Sequence, residues 1–133
     1  MIEKSDHAQS ILLVEDNMLN EMDALGMLRL LDRTADVAVN GQEALDALHR
    51  QRYEIVLMDI QMPVMDGLTA TRRIRAELAP EQQPYIIALT ANAMAGDEQR
   101  CLDAGMDAYL SKPFSKEDLG SALARADGRP VRR

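Results

Sequence analysis

The sequence predicts an α/β fold, a doubly wound five-stranded parallel sheet with five helices. Two observations predict it. First, short apolar runs alternate with segments of helical period, strand then helix, five times along the chain. That alternation is built by parallel strands joined through right-handed helical crossovers, with helices on both faces. Second, the apolar runs end in residues with chemistry: Glu15 and Asp16, then Asp59, Thr90 and Lys112. In a parallel sheet such ends lie along one edge, where open α/β folds bind ligands. The centre is Ile55-Val56-Leu57-Met58-Asp59-Ile60-Gln61-Met62-Pro63-Val64-Met65-Asp66-Gly67, a buried-strand run stopped by a carboxylate and followed by a turn into a helix.

The elements follow in order. Residues 1–9 are polar and mixed in charge and read as a flexible N-terminal segment. Residues 11–14 are the first strand and 18–31 the first helix, with Met22, Leu25 and Leu28 at helical spacing. Residues 34–39 form a modest second strand. Asn40 caps the second helix, Glu43 is placed to reach back to it, and Ala44, Leu45 and Leu48 are the buried face. The third strand is 54–58 and the third helix 67–78; Pro80 and Pro84 then bracket a polar loop. The fourth strand is 85–89, ending in Thr90, and the fourth helix covers 95–104 and stops at Gly105. The fifth strand is 107–110. Ser115 and Asp118 form a capping box for the fifth helix, whose apolar face is Leu119, Ala122, Leu123 and Ala126. One folded domain over 10–127 and a short basic tail over 128–133 complete the reading.

Bulk properties narrow the function. A chain of 133 residues with 47% hydrophobic residues buries a real core. No apolar run approaches the ~20 residues of a membrane helix, so membrane insertion is not expected. Cys101 is alone, which excludes a disulfide framework and a thiolate metal cluster and favours a cytoplasmic location. The net charge of −7 argues against direct nucleic-acid binding. Three Tyr, one Phe and no Trp leave few stacking platforms for a flavin or a base.

The strand ends supply the chemistry. Glu15, Asp16 and Asp59 converge, and their mutual repulsion is relieved by a hard divalent cation, so they form a candidate Mg²⁺ site. The backbone carbonyl of Gln61 is placed to add a ligand. A carboxylate beside Mg²⁺ and a lysine is also a nucleophile toward phosphorus, giving an aspartyl phosphate at Asp59. Lys112 and the Thr90 hydroxyl would then neutralise two of the phosphoryl oxygens. An X–Pro bond makes a cis peptide accessible at Lys112-Pro113, which would aim the lysine. Taken singly, Asp59 also reads as a helix cap, Lys112 as a surface lysine and Thr90 as a cap of the fourth helix.

Four segments, Val14-Glu15-Asp16-Asn17, Met58 to Gly67, Ala88-Leu89-Thr90-Ala91 and Tyr109-Leu110-Ser111-Lys112-Pro113-Phe114, together resemble the receiver domains of two-component response regulators. The resemblance covers residues 11–126 in the same order and spacing. It is most like receivers attached to hybrid sensor histidine kinases, to which Ala91-Asn92-Ala93-Met94 and Ala104-Gly105-Met106-Asp107 add. It implies the flavodoxin-like (CheY-like) strand order 2-1-3-4-5, a signalling switch rather than an enzyme, and Mg²⁺ as cofactor. It also implies a histidine kinase or histidine phosphotransfer domain as phosphodonor to Asp59, with slow autodephosphorylation afterwards. In the implied switch Thr90 moves toward the phosphoryl group and Tyr109 turns inward, changing the surface of helix 4, strand 5 and helix 5. That surface is also where a homodimer would form. Tyr109 reads equally as a half-buried strand residue. Gln61 and Asn92 are candidates for tuning water access. Met18, Leu19 and Met22 are candidates for docking the phosphodonor, with core packing as the rival role. Asp32 and Arg33 depart from the family where many relatives carry Gly after helix 1, although Asp tolerates left-handed geometry.

Two rival functions are weaker. A haloacid dehalogenase-type phosphatase resembles Asp-x-Asp-x-Thr at its nucleophile, whereas position 61 is Gln. A flavin or nucleotide module needs a Gly-rich loop after the first strand, and none is present. A receiver that binds its partner without phosphorylation is a third reading.

Overall fold

The three central apolar runs become strands covered on both faces, and their alternate side chains separate into two cores. The computed structural model describes residues 10–62, 64–91 and 97–128. Within them the strands are β1 (Ile11–Val14), β2 (Asp36–Ala38), β3 (Ile55–Asp59), β4 (Tyr85–Thr90) and β5 (Ala108–Ser111). The helices are α1 (Met18–Leu30), α2 (Gly41–Arg50), α3 (Gly67–Glu77), α4 (Asp97–Ala104) and α5 (Lys116–Asp127). The sheet order is β2-β1-β3-β4-β5, with every pairing parallel. Leu12, Val14, Val56, Met58, Ile86 and Ala88 face α2, α3 and α4. Ile11, Leu13, Ile55, Leu57, Ile87 and Leu89 face α1 and α5. This two-residue alternation within continuous apolar runs is what a sheet buried on both faces requires.

Helix starts follow the capping residues. Asn17, Asn40, Asp66 and Ser115 each accept a backbone N–H three residues on, and Ser115 with Asp118 completes a capping box. Glu43 differs from expectation: its carboxylate accepts from the N–H of Val39, one residue before the cap, at 3.0 Å. After α1, Asp32 is left-handed at φ 61°, the Asp32 N–H donates to the Arg29 carbonyl, and the Arg33 N–H donates to that of Leu28. These are the bonds of a Schellman stop with Asp in the usual glycine place. Gly105, at φ 109°, makes the same stop after α4.

The boundaries differ from expectation at several points: the fifth strand is shifted by one residue to Ala108–Ser111, the fourth runs on to Thr90, and α1 and α3 each end one residue early. The second strand is confined to Asp36–Ala38, because it is an edge strand with Asp36 and Val37 exposed. The third strand includes Asp59, which keeps ladder register with Leu89. The buried stripe of α1 runs through Ala24 and Leu28, so Met22 lies on the solvent side and not in the core. The start expected for the fourth helix at 95 lies outside the described residues, as do Pro63 and Asn92. Among the described residues, no helix is long and apolar enough to cross a membrane.

The edge of the sheet away from the strand-end carboxylates is fixed by Arg75, on α3. Its Nε donates to the Gly105 carbonyl, Nη1 to Gln83 Oε1 and the Pro84 carbonyl, and Nη2 to Asp107 Oδ2, all at 2.8–2.9 Å. Asp107 Oδ2 also accepts the Ile86 N–H at 2.8 Å. One planar guanidinium thus ties α3, the approach to β4 and the α4–β5 turn. Replacing Arg75 by Leu removes the charged partner of the Asp107 carboxylate and the donor to two carbonyls. We expect a loss of about 3 kcal/mol and a fall in Tm on the order of 10 °C in a thermal melt. An unchanged Tm would mean that the network is incidental.

Candidate functional site

Four neighbouring strands deliver polar residues to one edge, and the loops that follow set their geometry. Asp59 closes β3 and Glu15 follows β1; their side chains are almost completely buried, Asp59 at 6% and Glu15 at 2% exposure. Asp16 is exposed beside them. One carboxylate oxygen from each of Glu15, Asp16 and Asp59 lies within 4.8 Å of the others. Such a set suits a divalent cation of oxygen preference. Lys112 follows β5, after which the Lys112-Pro113 peptide is cis. Its Nζ lies 3.1 Å from Glu15 Oε1 and 3.5 Å from Asp59 Oδ2.

Backbone donors complete the carboxylate environment. Asp59 Oδ1 accepts the N–H of Gln61 at 3.0 Å, and Glu15 Oε2 accepts that of Asn17 at 3.2 Å. Thr90 ends β4 and is buried, and its carbonyl accepts the Lys112 N–H at 2.7 Å. This bond registers β5 so that the lysine emerges beside Asp59. Gly67, at the start of α3, sits directly on the β3 terminus. A Cβ there would strike the Asp59 carbonyl oxygen and come within 2.8 Å of Ile60 Cα. The loop between them is braced by the Gly41 N–H on the Met65 carbonyl at 3.1 Å.

Burial pushes the Asp59 carboxyl from its ordinary 3.8 up to about 6; the Glu15 carboxyl adds to the rise, while the Gln61 N–H and the Lys112 ammonium oppose it. Two carboxylates share one ammonium, with a third at the mouth, so negative charge is in excess and a cation is favoured.

The sequence-predicted residues are therefore distributed as follows. Glu15, Asp16, Asp59, Thr90 and Lys112 come together at the edge. Gln61 is exposed next to Asp59. Tyr109 is half-buried in β5 against the α4 side, and its hydroxyl bonds the Glu98 carboxylate, which raises the tyrosine's pKa. Met18, Leu19 and Met22 are exposed at 72%, 71% and 59%, which removes core packing as their role.

Two features were not anticipated. One is the Lys112–Glu15 ion pair, which makes Glu15 a partner of the lysine as well as a candidate ligand. The other is Val64, held left-handed at φ 70° in the loop after Asp59 and 82% exposed. The flanking Pro63 and Asp66-Gly67 announced a turn without showing which residue takes the disfavoured angle. A β-branched residue there is a clear outlier.

Two predictions follow from this geometry. Val64→Asn relieves the left-handed strain and loses no packing, so urea unfolding should show a gain of about 1 kcal/mol. For the metal-free protein, the raised pKa of Asp59 means that folding disfavours its ionised form. The contribution of the neutral carboxyl is present below its ordinary value and lost as pH rises through about 6. In EDTA near neutral pH, Asp59→Asn should therefore be more stable than the parent by about 2 kcal/mol, and the gap should close near pH 4. A gap independent of pH would show that Asp59 ionisation is not its source.

Comparison with known proteins agrees with the geometry. A family model described as the response regulator receiver domain matches residues 11–124. Hybrid signal transduction histidine kinase K of Dictyostelium discoideum is 40% identical over 124 residues, which is 87% of this chain and 10% of that protein. The chain thus spans about a tenth of the length of that relative. The crystal structure of the receiver domain of sensor histidine kinase PA1611 from Pseudomonas aeruginosa PAO1 has a magnesium ion coordinated in its active-site cleft. It is 46% identical with a TM-score of 0.82, covering 92% of this chain and 99% of that one. A chain of the co-crystal structure of the Saccharomyces cerevisiae histidine phosphotransfer protein Ypd1 with the receiver domain of Ssk1 is 28% identical. Its TM-score is 0.81, and the match covers 90% of this chain and 89% of that one. With the five-stranded order and the strand-end residues in place, the chain belongs to the response regulator receiver domains, the signalling domains of two-component and phosphorelay systems.

Proposed function

We propose that this receiver accepts a phosphoryl group from a phosphohistidine onto Asp59. The observation that carries the proposal is the Asp59 carboxylate itself, buried at the end of β3 between the Lys112 ammonium and two further carboxylates. In the transfer, a bond forms between an Asp59 oxygen and phosphorus as the phosphorus–nitrogen bond breaks, and that electron pair returns to the imidazole of the donor. Glu15, Asp16 and Asp59, with the Gln61 carbonyl, would hold Mg²⁺, which when bound neutralises charge on the phosphoryl oxygens. Lys112 neutralises another oxygen, and the Thr90 hydroxyl accompanies it. Gln61 stands at the mouth, where it governs water access; Asn92 is assigned the same part from its sequence position.

The donor is a histidine kinase or a histidine phosphotransfer domain. The apolar Met18, Leu19 and Met22 on α1 supply a docking surface next to the carboxylates, and methionine surfaces adapt to partners. Phosphorylation favours the state in which Thr90 and Lys112 both engage the phosphoryl group, a population shift. Tyr109 leaves Glu98 and turns inward, and the α4–β5–α5 surface changes for its partner or a second copy. Slow hydrolysis at Asp59 resets the switch.

Intact-mass spectrometry after acetyl phosphate treatment tests the assignment. The parent chain should gain a single adduct of roughly 80 Da, the mass of one phosphoryl group, only when Mg²⁺ is present, and Asp59→Asn should gain none. Lys112→Ala should keep Mg²⁺ affinity within about threefold while losing most of the phosphorylation-dependent change in partner binding. An adduct that persists in Asp59→Asn would overturn the site.

A further inference from the structure

The edge that carries Lys112 opens, on the α1–α5 side of the sheet, into a cavity of about 310 Å³ whose wall includes Glu15 and Lys112. Its floor is apolar: Ala24 and Met27 from α1, and Phe114 from the loop after β5. Phe114 is the only phenylalanine in the chain and lies half-buried against this layer. Alanine at position 24 leaves the room that a larger side chain would fill. Lys112 forms part of the inner wall, but its ammonium is turned to Glu15 and Asp59. It therefore offers the cavity a methylene stem rather than a free charge.

The rim is polar and unbalanced. Asn20 and Asp23 project from α1 three residues apart, on one face of the helix. Among the described residues, no hydrogen bond or ion pair engages the Asp23 carboxylate or the Asn20 side-chain amide. An apolar floor with a few convergent polar groups, lying between helices, is the usual construction of a small-molecule site, and the volume is at the small end of that class. The rim carboxylate and the chain's net charge of −7 select the sign of the ligand.

We propose that this cavity binds a small organic cation, an amine or guanidinium on a flat apolar body, with the body over Met27 and Phe114 and the charge at Asp23 and Asn20. An anion of the same shape meets the Asp23 carboxylate and is rejected, whereas a neutral analogue keeps only the apolar contact.

The test titrates 2-phenylethylamine, 2-phenylethanol and phenylacetate into the full chain in EDTA, so that neither Mg²⁺ nor phosphorylation enters. The methionine methyl signals are followed by NMR. The amine should move the Met27 methyl with a Kd on the order of 1 mM. The alcohol should bind about threefold more weakly, and phenylacetate more weakly still. Asp23→Asn, an exposed substitution, should erase the advantage of the amine over the alcohol and leave alcohol binding unchanged. Ala24→Leu should block all three probes. Should that variant unfold in a thermal melt, Asp23→Asn alone decides. Equal affinities for the three probes, a preference for phenylacetate, or shifts at Met18 and Met22 instead of Met27 each overturn the assignment.

Discussion

The Asp59 carboxylate lies buried beside that of Glu15, and the ammonium of Lys112 is shared between them. Burying two like charges at close range is costly, and one cation relieves only part of the cost. The rest of the edge is organised to hold this arrangement. β3 must carry Asp59 to its last residue, so its ladder register with β4 runs to the Asp59–Leu89 pair. β5 must present Lys112 from the other side of β4, and the Lys112 N–H on the Thr90 carbonyl fixes that. The loop after Asp59 must turn at once, which places Gly67 against the strand terminus and Val64 in a left-handed conformation. The residual charge and the strain sit together, as functional sites tend to arrange them.

The two ends of the sheet divide the work. At the end away from Asp59, the Arg75 donors are matched by carbonyls, an amide and a carboxylate, and the polar groups around them are satisfied. That end orders α3, α4 and β5 with respect to one another. At the Asp59 end the charges are unmatched and the residues stand on strand termini and loops. A rigid scaffold below a polar, underbalanced rim lets a ligand change the rim without threatening the fold.

The sequence exposed much of this because its main signals are local. A continuous apolar run ending in a charged residue is visible without knowing its neighbours, and so are a Ser-x-x-Asp cap and a Lys-Pro pair. Alternation of strand and helix then fixes which ends share an edge. Signals that depend on distant partners were not visible. Arg75 reads as an ordinary residue in the last turn of a helix until Asp107 and Gly105 are seen beside it. Met22 and Ala24 differ by two positions on α1, and only the placement of that helix decides which is buried. β2 is shorter than its sequence suggests because an edge strand needs just enough residues to pair with β1 on one side. The Lys112–Glu15 pair is not legible in the sequence because each residue on its own accounts for a different part of the site.

The same bonds constrain how a signal can leave the site. β5 is held at both ends by backbone hydrogen bonds to β4 or the residues beside it: Asp107 N–H to the Ile86 carbonyl, and Lys112 N–H to that of Thr90. A strand clamped in this way does not slide when the charge beside Lys112 changes. Tyr109 lies between the two clamps, half-buried, with its hydroxyl on Glu98 of α4. Its side chain can rotate without breaking a ladder bond, and leaving Glu98 removes a tie between β5 and α4. The Arg75 network meanwhile holds the far end of α4 through Gly105. In the proposed switch, a change at Asp59 would therefore pass most cheaply through Tyr109 and the beginning of α4, with the sheet and the α4–β5 turn remaining where they are.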